Sequence, residues 1–200
     1  MSAKVQGAGQ SRREMREADR HRKRLLQRAA MALAGVVALV LAGYAVWGQL
    51  QPKPGQSVPQ LPRTHIQLGV PHEPYNSDPP TSGPHAGPVE VGFYDAAPPD
   101  ENLVHNLEHG YVVIWYNCSA LDEAGCEALK TQIKAVMDRA RPVVVTTDAK
   151  KLIAVPRPTM DARLALTSWG RIDKLSSFDD LHVMEFVTRL RNQAPEPGAP

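Results

Sequence analysis

Ala29 to Trp47 is the longest apolar run in the chain, 19 residues without a charge. Coiled as a helix it spans about 28 Å, one bilayer core. It predicts a transmembrane helix over residues 29–48. Tyr44 and Trp47 stand at its far end, where interfacial aromatics belong. No polar face interrupts the run, which argues against a core helix of a soluble domain. A cleaved signal peptide is the closer rival, but its apolar region is usually shorter. An uncleaved anchor is the better reading.

Beyond the anchor the pattern changes. Gln49 to Arg63 contains Pro52, Pro54, Pro59 and Pro62 with Gly55. It predicts an extended linker over residues 49–63, reaching about 40 Å. Residues 64–100 carry Pro-Pro and Ser-Gly turn signals, and so many fixed φ angles make a stiff loop. Val89–Tyr94 suits a short strand and Asn102–Glu108 a single helical turn. Tyr111–Tyr116 is apolar at nearly every position, the pattern of a central strand. From Leu121 to Ala140, Leu121, Ala124, Ala128, Leu129, Ile133, Val136 and Met137 recur at helical spacing. Asp122 and Glu123 suit the start of that helix, and Arg139 and Arg141 its end. Strands are expected at Val143–Thr147, Leu152–Val155 and Arg163–Trp169. A closing helix is expected over Phe178–Arg191, started by Ser176 or Ser177 with Asp179 and Asp180. Residues 193–200, rich in Pro and Gly, are expected to be disordered, and no internal repeat is visible. This order predicts an α+β domain over residues 64–192, with a small mixed, mostly antiparallel sheet covered by two helices. The hairpin-like spacing of the last three strands favours antiparallel pairing among them.

Charge changes the picture at the N-terminus. Residues 1–28 hold nine Lys/Arg against three Asp/Glu, a net of +6; with +2 for the whole chain, residues 29–200 carry −4. The basic pI of 8.6 therefore comes from the tail. It gives no reason to expect nucleic-acid binding by the folded part. A basic tail before an apolar run places the N-terminus in the cytoplasm and residues 48–200 outside. The expected protein is single-pass in the cell membrane, with the bilayer as partner through residues 29–48. The tail reads as a topology determinant rather than a separate lipid or nucleic-acid site.

The chemistry concentrates in His105-Asn106-Leu107-Glu108-His109-Gly110. His105 and His109 share a face whether the segment is helical or extended. His85, at the end of the stiff loop, is the expected third imidazole. Imidazole suits copper and zinc alike. The expected site is a copper or zinc ion at His85, His105 and His109, copper before zinc, with Glu108 orienting the rings. His72, His182 and Met184 are possible additions, and His65 lies close to the linker. Metal handling or assembly of a membrane complex are the roles this suggests. Two alternatives stay open. The histidines can be structural parts of a non-enzymatic interaction module. Or His105-x-x-Glu108-His109 can be the zinc motif of an inverted peptidase, with Glu185 as third ligand. The second needs the middle of a long helix, whereas Gly110 and an apolar run follow at once.

Cys118 and Cys126, eight residues apart in an oxidising compartment, read as a disulfide. A copper thiolate would need reducing conditions. Trp115, Trp169 and Tyr111 read as core, and Arg157 and Arg171 as ion-pair partners. There is no Gly-rich phosphate loop and no nucleophile elbow, and no catalytic residue is assigned.

Three blocks together resemble a mainly bacterial family catalogued as domain of unknown function 3105. They are Tyr75-Asn76-Ser77-Asp78-Pro79-Pro80-Thr81-Ser82-Gly83-Pro84-His85, Leu103-Val104-His105-Asn106-Leu107-Glu108-His109-Gly110 and Ala165-Leu166-Thr167-Ser168-Trp169-Gly170-Arg171. The resemblance covers roughly residues 63–195 and implies a membrane-anchored, exported domain. It implies no activity and carries nothing over to the cysteines.

Overall fold

The computed structural model describes residues 3–143 and 150–199, which divide into two units, Met1–Pro52 and Lys53–Pro200. The first unit is a single helix, α1 (Ala3–Leu50). Its segment Arg22–Gly48 is long and apolar enough to cross a membrane, and none of its apolar window is buried within the protein.

The second unit is built on a six-stranded mixed sheet with three helices. In chain order the elements are β1 (Gln56–Ser57), β2 (Gly92–Phe93), α2 (Asp100–Glu108), β3 (Val112–Tyr116), α3 (Glu123–Arg139), β4 (Leu152–Pro156), β5 (Leu164–Ser168), β6 (Arg171–Leu175) and α4 (Asp180–Leu190). The strand order is β1-β6-β5-β3-β4-β2. β3 is central and every one of its residues is buried. Side chains of a strand alternate between faces. Val112, Ile114 and Tyr116 therefore meet Leu129, Ile133 and Val136 of α3 and Val183, Phe186 and Leu190 of α4. Val113 and Trp115 face the opposite way, onto Leu103, Val104 and Leu107 of α2. The α+β class is as the pattern predicted, and α2 is a covering element on a second face rather than one isolated turn.

Four expectations change. β4 does not pair with β5; it lies parallel to β3, and β5 lies antiparallel on the other side of β3. The reason is α3. A helix between two strands carries the chain back to the end where it began, so the second strand runs parallel. The last antiparallel hairpin is instead β5–β6, turning at Trp169–Gly170, and β6 was not anticipated. The supposed linker is docked from Lys53 onward, with Gln56 and Ser57 pairing antiparallel to β6. The helix cap of α4 is Asp179, whose side chain accepts from the His182 N–H, rather than a serine. The strand expected at Val143–Thr147 falls, from residue 144 onward, outside the described residues.

Candidate metal centre

α2 begins after Pro99 and carries Asp100 and Glu101 in its first turn, where acidic groups favour the helix dipole. Leu103, Val104 and Leu107 turn towards the sheet. His105 and Glu108, three apart, are left on a neighbouring face, and His109 caps the helix end. Gly110 then reverses the chain at φ +86°; a Cβ there would stand 2.8 Å from the Asn192 Cα, so only glycine fits.

The proline-rich loop delivers His85 to the same place. Tyr75 donates from its hydroxyl to the Pro84 carbonyl (2.7 Å), and the Leu61 N–H donates to Ser82 Oγ (3.0 Å). His65 and His85 form a parallel bridge, closed by Ile66 N–H to His85 O (2.9 Å) and His85 N–H to Thr64 O (3.0 Å). The docked chain thereby places a fourth imidazole beside the other three.

Five side chains converge. His65 Nε2 lies 3.3 Å from His85 Nε2, and His105 Nε2 lies 3.1 Å from His109 Nε2. Glu108 Oε2 lies 2.9 Å from His85 Nε2. His65, His85 and His105 form one group of donor atoms that could hold a metal ion, and His105, Glu108 and His109 form another, so His105 belongs to both. Ligand atoms at 2.0–2.1 Å from one ion stand about 2.9–3.4 Å apart at octahedral to tetrahedral angles. The closest separations here fall in that range.

Protonation supports the same arrangement. A carbonyl only accepts, so His85 Nδ1 donates to Gly83 O at 2.8 Å. Its Nε2 then faces the Glu108 carboxylate. Only 1% of the Glu108 side chain is exposed, yet its Oε2 makes no aligned hydrogen bond. A proton on that nitrogen would make the contact an ion pair, and a metal ion between the two atoms would bridge them instead. The neutral form of His105 is favoured: burial chiefly lowers its pKa, the rings of His109, His85 and His65 act the same way, and the Ala86 backbone opposes them. Neutral imidazole is the form that ligates metals. Arg63 Nη1 donates to Glu108 Oε1 (3.2 Å) and leaves Oε2 to the rings. The centre opens to solvent through His65, whose side chain is 62% exposed.

His85, His105 and His109 are thus brought together, and His65 joins them. Nothing local in the sequence marks His65; only its bridge to His85 does. Glu108 stands among the rings rather than behind them. The suggested additional ligands lie elsewhere. His72 faces Glu101 (3.5 Å) and packs on Tyr75, and His182 pairs with Asp173 (2.8 Å). Met184 packs against the core between α3, α4 and the sheet. Glu185, the third ligand of the peptidase alternative, pairs with Arg189 on α4. The His-x-x-Glu-His segment closes a nine-residue helix instead of occupying the middle of a long one. Cys118 and Cys126 are bonded, with Cα atoms 5.3 Å apart, so neither offers a thiolate.

No curated protein and no solved structure matches the chain. One family model does, over residues 72–200, a span that includes the Ser-Gly-Pro-His loop, α2 and the whole sheet except β1. The chain belongs to that family, described as a protein of unknown function, DUF3105.

Proposed function

We propose that this protein binds a copper or zinc ion outside the cytoplasm, at His65, His85, His105, Glu108 and His109, on a domain tethered to the membrane by α1. One observation carries the reading. The Nε2 of His85, its Nδ1 already committed to Gly83, faces a buried carboxylate oxygen that lacks an aligned donor. A metal ion there would bridge His85 and Glu108, and His105, which belongs to both groups of donor atoms, links that pair to the remaining rings. The donor set is imidazole and carboxylate without thiolate or thioether, which favours zinc and copper(II) over copper(I). Met184, whose soft thioether would favour copper, packs against the core instead. The role is metal handling or metal-dependent assembly of a membrane complex. The excess of Lys and Arg before the apolar segment supports a cytoplasmic N-terminus.

The test is the metal content of the full chain, purified in mild detergent, loaded with zinc or copper(II) and dialysed. Stoichiometric metal in the wild type is expected, and background metal in His105→Ala, whose ring belongs to both donor groups. A folded wild-type chain that retains neither metal overturns the reading and leaves a non-enzymatic interaction module with structural histidines. Turnover that disappears in Glu108→Gln would instead favour the zinc hydrolase.

A further inference from the structure

Residues 192–199, most of them in the 193–200 tail expected to be disordered, run back to the centre as a strap. The Asn192 N–H donates to Gly110 O (2.7 Å) and the Glu196 N–H donates to Glu108 O (3.0 Å). Beyond Glu196 the strap is held by Lys151, a lysine with 1% exposure. Its ammonium donates to Pro197 O and Ala199 O (2.8 Å each) and to His109 O (2.9 Å). It also reaches Asn192 Oδ1 (3.2 Å). A buried ammonium is retained only where acceptors replace its lost water. The acceptors here are the strap and the backbone of the metal motif, so the two are fastened to each other.

This fastening delivers one side chain to the rim. Glu196 Oε2 lies 3.9 Å from His109 Nε2, and Glu196 Oε1 lies 3.3 Å from Arg63 Nη1. Its backbone is held by the Glu108 carbonyl, and its side chain, 48% exposed, is anchored by Arg63 at the surface. Opposite ligands of one ion with 2.0–2.1 Å bonds are about 4 Å apart. We propose that Glu196 is an exchangeable carboxylate ligand that swings from Arg63 onto the ion and sets how fast the ion leaves. The proposal rests on the metal-binding reading above. It assigns the strap a purpose that reading does not need: a closing ligand on the solvent side, where His65 alone leaves the centre open.

The experiment uses the full chain in detergent, loaded with zinc and mixed with excess chelator, comparing wild type with Glu196→Gln. Glutamine keeps the backbone bonds of the strap and an acceptor for Arg63, and it removes only the anionic ligand. The expected result is full zinc loading with release about tenfold faster or more, the scale on which supporting carboxylates act. The cobalt(II)-substituted variant should show altered ligand-field bands. Complete loss of zinc from a folded variant would also support the proposal. Unchanged release with an unchanged cobalt spectrum overturns it while leaving the metal site standing. A wild-type chain that takes up no zinc and no cobalt removes both.

Discussion

Reducing the Cys118–Cys126 bond should lower the melting temperature of the folded domain by a calculable amount. The bond joins residues separated by eight positions, spanning the end of β3 and the first turn of α3. In the folded protein each half of that short loop is braced by its own turn. The Ser119 N–H donates to Asn117 Oδ1 (2.8 Å), and the Gly125 N–H donates to Asp122 Oδ1 (2.8 Å). The native state therefore loses little when the bond opens, and the effect falls on the unfolded chain. Chain entropy for a loop of this length gives about 2.5 kcal/mol at 25 °C. For a domain of this size that corresponds to roughly 5–10 °C in Tm. The assay is near-ultraviolet circular dichroism of the same wild-type protein with and without reductant, so no side chain changes between samples. Cys118→Ala/Cys126→Ala should melt near the reduced protein and ignore reductant. Oxidised and reduced wild type melting together would refute the reasoning, because the loop would then cost nothing to close in the unfolded chain.

Phe186, fully buried on α4 against the sheet, should cost about 3–5 kcal/mol as Phe186→Ala, read from denaturant unfolding. Acid should destabilise the metal-stripped protein. The His105 pKa is lowered in the fold, so below about pH 6.5 the unfolded chain takes up a proton that the native ring refuses. Stability should fall as pH drops through that range, and His105→Asn should flatten the slope of Tm against pH. His65→Ala should weaken metal retention without unfolding the domain, since the ring is mostly exposed; an unchanged affinity in competition titrations would remove His65 from the centre. A reporter active only outside the cytoplasm, fused after Pro200, should be active, and silence would reverse the proposed topology.

Much of this protein is written in local pattern. The charge-free run from Ala29 to Trp47 needs no partner to be read, because its length against a bilayer is its own argument. Period decides α3, where apolar residues recur at helical spacing, and the unbroken apolar run of β3 announces a strand buried on both faces. The proximity of His105, Glu108 and His109 follows from helix geometry alone. Other features depend on residues distant in sequence, and no window of the chain contains them. His65 meets His85 across 20 positions, and Glu196 meets Arg63 across 133. The proline-rich stretch after Lys53 looks like a tether because it lacks an apolar period. It is docked instead by pairing to β6 and by hydrogen bonds to the His85 loop, neither of which leaves a hydrophobic signature. The tail is held by Lys151 through carbonyls, groups that every residue carries and composition cannot reveal. Sequence pattern thus determined most of the elements, β1 and β6 excepted, and named three of the five converging side chains as ligands. Tertiary structure decided the strand order, the fourth imidazole, the place of Glu108 among the rings, and the strap that carries Glu196 to them.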